Sequence, residues 1–217
     1  MAQPAVIFLD AVGTLFGVRD SVGHIYGNLA RQVGVETDIE ALDKAFYRCF
    51  KAAPKMAFPD APVTDIPHLE YLWWKQVATD TFERVSALSA FTDFDGFFSD
   101  VYQHFTTAAP WVVYTDTVAS LQRWQQLGIP LGVISNFDSR LYTVLETLEL
   151  KSYFDSVTIS TEVGAAKPDS RIFTAALQKH GHRAADAWHI GDSQVEDFDG
   201  AKAAGIKPIL IQRQGRL

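Results

Sequence analysis

Five short apolar runs limit the fold of this chain more than any other feature of its sequence. They are AVIFL (5–9), PLGVIS (130–135), SVTIS (156–160), AWHIG (187–191) and KPILI (207–211). None is amphipathic. Each is bounded by polar residues or glycine, and together they are rich in β-branched side chains, the pattern of strands buried on both faces. Helical periodicity fills the gaps between the later runs, over 116–127, 139–148, 170–180 and 194–204. Thr115-Asp116 opens the first of these and Gly128 closes it, and Gly205 closes the last. Alternation of this kind predicts an α/β fold, a Rossmann-like doubly wound parallel sheet with helices on both faces.

One stretch breaks the alternation. Between the first run and the second, residues 18–108 hold no strong strand pattern but carry helical periodicity over 41–52, 68–82 and 95–105. Pro54, Pro59, Pro62 and Pro67 cluster in one loop of this stretch. The economical reading is a core of residues 1–17 and 109–217 interrupted by an all-helical insertion, 18–108. A chain of 217 residues has enough apolar material for both.

Charge then narrows the partners. The net charge is −7, and the insertion holds 13 of the 26 acidic residues but only 8 of the 19 basic ones. Neither part has the basic face that nucleic acid or an anionic membrane requires. The single Cys49 has no intramolecular disulfide partner and reads as a buried apolar residue in a reducing compartment. The opening MAQPAVIFLD lacks a basic region and reaches a charge within ten residues, unlike a signal peptide. No apolar run approaches the ~20 residues of a spanning helix. The expectation is a soluble cytoplasmic protein, monomer or homodimer, acting on a small molecule.

In an open parallel sheet, ligands gather beyond the carboxyl ends of the strands. Asp10 follows the first run, with Ala11-Val12-Gly13-Thr14 after it; Ser135-Asn136 ends the second. A short loop after the third leads to Lys167-Pro168, and Asp192 follows the fourth, with Asp197 five residues on. Singly these residues have ordinary explanations: Asp10 as a turn former, Asp192 and Asp197 as carboxylates at a helix start, Ser135-Asn136 as a polar lead into a helix, Lys167 as a surface lysine. Jointly, four strand ends bring carboxylates, a hydroxyl and an ammonium to one rim.

FLDAVGTLF (8–16), VISNFD (133–138), GAAKPDSRIF (164–173) and HIGDSQVEDFDGAKAAG (189–205), in that order, resemble the motifs of the haloacid dehalogenase-like hydrolase superfamily. The helical insertion after the first motif is similar to that superfamily's C1 cap. ISNFDSRL, KPDSRIF and WWKQVATDTF further resemble the subfamily of haloacid dehalogenase-like hydrolase domain-containing protein 3. The resemblance implies Asp10 as a nucleophile that forms an aspartyl-phosphate intermediate. It implies Ser135, Asn136 and Thr14 at the phosphoryl oxygens, and Lys167 as the cation that offsets transition-state charge. Asp10, the Val12 carbonyl and Asp192 would hold magnesium, and Asp197 would support the metal shell or pair with the lysine.

At position 12 the sequence departs from the phosphatases of that superfamily. They carry a general acid and base two residues after the nucleophile; here Val12 stands there, able to offer a carbonyl to a metal but no proton. Three readings stay open. The first is a magnesium-dependent phosphatase that borrows an acid or uses a substrate with an undemanding leaving group. The second is a C–X hydrolase, a 2-haloacid dehalogenase or a phosphonatase using a cap lysine (Lys44, Lys51, Lys55 or Lys75). The third is a non-catalytic protein that binds phosphate or magnesium. Arg19 and His24, close after the first motif, are candidates for the missing acid. His180 and His182 read as exposed, and Trp73-Trp74 as packing within the insertion, with at most one of them facing a pocket.

Overall fold

The computed structural model describes residues 3–213, so the extreme termini of the expected core lie outside it. In chain order the strands are β1 (Val6–Leu9), β2 (Phe16–Val18), β3 (Trp111–Val113), β4 (Leu131–Ser135), β5 (Ser156–Ile159), β6 (Ala187–Gly191) and β7 (Lys207–Leu210). All five apolar runs are strands. They form one wholly parallel sheet in the order β5-β4-β1-β6-β7. The central strands β1 and β4 are buried throughout, whereas the edge strands β5 and β7 are half-buried, because an edge has cover on one side only.

Side chains of β1 alternate between two cores. Ile7 and Leu9 pack with Leu121, Leu141 and Leu145, from helices α5 (Thr117–Gln126) and α6 (Arg140–Thr147) on one face. Val6 and Phe8 pack with Ile172, Phe173 and Ala201, from α8 (Ser170–His180) and α9 (Gly200–Ala203) on the other. The sheet is therefore doubly wound. The short helix α7 (Ser160–Val163) follows β5 directly. Asp169 caps α8 by accepting from the Arg171 amide, and Gly181 closes it in the left-handed conformation. Asp116 stands at the start of α5 but makes no cap; it pairs with Arg213 at 2.5 Å instead.

Between β2 and β3 lie α1 (Val22–Gln32), α2 (Ile39–Ala52), α3 (Ile66–Arg84) and α4 (Phe94–His104). Ser21, Asp38 and Asp93 cap α1, α2 and α4, and Pro67 sits in the first turn of α3 rather than in the preceding loop. These helices share their own apolar cluster, around Tyr26, Leu42, Phe46, Phe82 and Phe98. Cys49 is buried in it. β2 and β3, which the sequence pattern does not announce, pair antiparallel with Val18 opposite Trp111. The chain thus leaves the sheet region and returns to it side by side. Among the described residues, no helix is long and apolar enough to cross a membrane.

The helices meet the sheet region through buried polar contacts. Glu70 of α3 accepts from the Ser139 amide at 3.0 Å, from the Ser139 hydroxyl and from Thr161 at 2.6 Å, while burial pushes its carboxyl upward. Trp74 donates to Asp138 at 2.6 Å, and Ser160 donates to the Met56 carbonyl at 2.7 Å. Lys55 pairs with Glu196.

His180 is not exposed as expected. It is half-buried, 2.7 Å from the Ser156 hydroxyl and edge-on to Phe8. Gly132 of β4 makes room for that group, since a Cβ there would lie 2.7 Å from Ser156 Oγ and 2.8 Å from Phe8. Gly132→Ala is expected to cost about 1–3 kcal/mol through overpacking. Urea unfolding checks this: the midpoint should fall with an unchanged m-value.

Candidate active site

β1 lies between β4 and β6, so chain connections depart to both sides of its carboxyl end. Such a switch point is where open α/β sheets bind ligands. Asp10 stands there, buried, and its amide donates to the Ile190 carbonyl of β6. Lys167, 1% exposed, places its ammonium 2.7 Å from Asp10 Oδ1 and 2.6 Å from Asp197 Oδ1. Among the described residues, the other Asp10 oxygen accepts no hydrogen bond.

Lys167 is held from behind. Its amide donates to Asn136 Oδ1 at 2.6 Å, and Asn136 Nδ2 donates back to its carbonyl at 3.0 Å. The Asn136 side chain therefore fixes the lysine loop, and Ser135, buried before it, closes β4, the strand next to β1. Asp197 has no spare oxygen. Oδ1 accepts from Lys167 and, at 2.8 Å, from His189 Nε2, while Oδ2 accepts from the Ser193 amide at 3.0 Å. This is the geometry of a lysine partner more than of a metal ligand.

The expected helix over 194–204 begins instead as a π-helical turn, Gln194–Asp199, in which Phe198 donates to the Ser193 carbonyl. The wider turn swings Asp197 back under Gly191, where a Cβ would lie 2.1 Å from the carboxyl carbon. Gly13 is needed for a parallel reason. Its φ is +91°, and a Cβ would lie 2.5 Å from Asp192 Oδ2. The Thr14 hydroxyl, also buried, points to Asp192 Oδ1 at 3.4 Å.

One oxygen each from Asp10, Asp192 and Asp197 falls within 4.8 Å of the others, with Asp192 exposed at the rim. The free oxygen of Asp10 and the carboxylate of Asp192 are the hard donors that suit magnesium, which keeps several waters and takes few protein ligands. The donor set fits that ion.

Electrostatics follow from the arrangement. Burial opposes the Lys167 charge, but Asp10 and Asp197 outweigh it and hold the ammonium above its ordinary range. Burial would also raise Asp197; Lys167 and then His189 overcome it and hold this carboxyl well below the usual range. The surplus negative charge falls on Asp10, which burial pushes up to about 7 against the pull of Lys167. Burial lowers His189 below the usual imidazole value, so it is a neutral donor. His189 is a site residue that sequence reasoning missed. Its one signal is its place in β6, three residues before Asp192.

A cavity of about 210 Å³ adjoins this centre, with Val12 and Asn136 in its wall. The rest of the wall comes mainly from α1, α2 and α4 and is largely aromatic. Trp74 faces it, whereas Trp73 turns away to donate to the Pro54 carbonyl, so one of the pair meets the pocket. Neither substitute for the missing acid is in place. Arg19 donates to the Ala109 and Trp111 carbonyls, and His24 is exposed on α1. Lys44, Lys51, Lys55 and Lys75 are absent from the described cavity wall; Lys44, Lys55 and Lys75 pair with Glu40, Glu196 and Asp95.

Known proteins resemble this chain in sequence and fold. A family model described as a hydrolase, haloacid dehalogenase-like hydrolase, matches residues 4–205. Haloacid dehalogenase-like hydrolase domain-containing protein 3 of Bos taurus is 33% identical over 211 residues, covering 96% of this chain and 82% of its own length. The structure of an HAD phosphatase from Thermococcus onnurineus superposes with a TM-score of 0.63 at 22% identity, covering 98% of this chain and 88% of that one. L-2-haloacid dehalogenase from Xanthobacter autotrophicus gives 0.67 at 16%, covering 99% and 80%. At these identities the two structures speak for the fold, and the chemistry rests with the residues.

Lys167→Met removes the cation that pairs with two buried carboxylates and is expected to cost about 3–5 kcal/mol. Adding Asp197→Asn should recover part of that loss, which a double-mutant cycle of unfolding free energies measures. Asp10 sets a pH dependence of its own in chelator. Its carboxyl titrates near 3.9 when unfolded and about 7 when folded. The stability it contributes is full below the unfolded value and lost as pH rises through about 7. Asp10→Asn should flatten the decline between those two pH values in denaturation curves.

Proposed function

Since the chain belongs to the haloacid dehalogenase-like hydrolase family, we propose that it is a magnesium-dependent phosphatase working through an aspartyl-phosphate on Asp10. The observation that carries this reading is the Lys167 ammonium bound to Asp10 while the second Asp10 oxygen stays open beside Asp192. In this reading residues 18–108 are a cap over a core of 1–17 and 109–217. Cap movement would admit substrate and exclude water.

Asp10 attacks phosphorus in line with the departing oxygen. Ser135, the Asn136 amide and Thr14 receive the phosphoryl oxygens, and Lys167 offsets the charge that gathers between nucleophile and phosphoryl group. Asp10, the Val12 carbonyl and Asp192 would hold magnesium, which supplies charge neutralisation between two anions. Asp197 and His189 keep Lys167 aligned. Val12 supplies no proton in the first step and no base for water in the second, so hydrolysis of the aspartyl-phosphate becomes the slow step.

A C–X hydrolase is the competing reading, favoured by Val12 and the apolar cavity, because a halide departs unprotonated. Asp192 at the rim, with Asp197 five residues on, weighs against it. No lysine in the described cavity wall supports a phosphonatase.

With magnesium, p-nitrophenyl phosphate should give a burst of p-nitrophenol of one equivalent per chain, followed by slow turnover. Asp10→Asn should abolish both phases, and chelator should remove phosphate release. Val12→Asp is expected to raise turnover of alkyl phosphates by about 10²-fold or more, and that of p-nitrophenyl phosphate by less. Chloride release from 2-chloropropionate that ignores chelator would replace this reading with the dehalogenase.

A further inference from the structure

The cavity beside Asp10 has a wall ill suited to a sugar or polyol. Tyr26, Phe46, Trp74, Phe98 and Phe137 present ring carbon to it, and Val12 supplies a further apolar surface. Arg140 is the one formally charged side chain in that wall, and its charge is already matched. It donates to both oxygens of buried Asp138, at 2.8 and 2.7 Å, and its guanidinium lies 3.8 Å over the Tyr102 ring. Besides Arg140, the polar groups of that wall are the hydroxyls of Tyr26, Tyr47 and Tyr102 and the Asn136 amide, set in a mainly apolar surface. A leaving group bearing several hydroxyls would therefore leave some of them unpaired, at a few kcal/mol each.

Volume is compatible with a ring. A cavity of about 150 Å³ admits benzene, and about 210 Å³ has room for one six-membered ring with a small substituent. Chemistry adds a limit. A phenol, with a pKa near 10 as in tyrosine, departs as its anion without an acid, which suits the proton donor missing at Val12. One residue thus stands at the position of the missing acid and in the wall of this cavity.

We propose that the substrate is an aryl phosphate, the monoester of an uncharged single-ring phenol, whose ring occupies this cavity. The assignment rests on the phosphatase reading above. In the first step a bond forms between Asp10 oxygen and phosphorus, the P–O(aryl) bond breaks, and its electron pair leaves on the phenolate. Water then cleaves the aspartyl-phosphate, restoring the Asp10 carboxylate and releasing inorganic phosphate. The proton that water gives up reaches the phenolate through solvent. The products are a phenol and phosphate.

The test measures kcat/KM with magnesium for phenyl phosphate, glycerol 3-phosphate and acetyl phosphate, and phenol binding by saturation-transfer NMR. Acetyl phosphate has a good leaving group but no ring, so it reports phosphoryl chemistry alone. Phenyl phosphate is expected to exceed glycerol 3-phosphate by about 10²-fold or more. Val101→Phe, which narrows the cavity, should cut the phenyl-to-acetyl ratio about tenfold and abolish phenol binding. If that variant does not fold, Phe98→Leu should move preference from phenyl toward 2-naphthyl phosphate. Acetyl phosphate hydrolysis with phenyl and glycerol esters turned over alike would overturn the aryl assignment and leave the phosphatase reading standing. Phenol bound with no phosphate released from any substrate, or halide released instead, would overturn the phosphatase reading and the aryl ester with it.

Discussion

An ammonium with almost no solvent contact, held between two carboxylates, is the interaction on which the rest of this structure depends. Removing such a charge from water is costly, and a buried ion pair seldom adds net stability. What it gives here is position. Lys167 ties the end of β1, through Asp10, to the turn after β6, through Asp197, and Asn136 ties the same lysine to the end of β4. Three strand ends are thereby fixed by one side chain and its backbone. Because one cation faces two anions, the triad keeps a deficit of positive charge beside the second oxygen of Asp10, a setting that suits the magnesium proposed above.

The contact between the helical layer and the sheet region divides into two kinds. Around the rim it is polar and fully paired, through Glu70 with Ser139 and Thr161, and Asp138 with Trp74 and Arg140. Within, it is aromatic and encloses the cavity. Residues 135–140, from the end of β4 to the start of α6, serve both kinds at once: Ser135 and Asn136 face the candidate site, Phe137 lines the cavity, and Asp138 to Arg140 hold the helices. A single loop therefore couples helix placement to the geometry of Lys167.

Most of the framework is legible in the sequence because central strands of a parallel sheet must be apolar on both faces. The five runs thus mark the strands, and the residues that follow them mark the rim. β2 and β3 are not legible. Each is three residues long, and each finds its partner across the whole helical segment, so no local pattern records the pairing. The π-helical turn is hidden for another reason: 194–204 has ordinary helical periodicity, and the partners that Asp197 meets through the widened turn, Lys167 and His189, lie outside that segment. His189 looks like any residue of a buried strand until its neighbour is known. Arg19 and His24 are near Asp10 in sequence, but the turn into β2 carries them away from it.

The pairing of Val18 with Trp111 has a consequence beyond the active site. Both crossings between the sheet and the helices run through one narrow ribbon, so the two ends of the helical segment lie side by side. A tight loop in its place would leave the parallel sheet topologically unaltered. The helices are in that sense a replaceable head on a constant base. An exchanged head would have to bring its own partners for Asp138, Ser139 and Thr161, through which the present helices meet the strand ends.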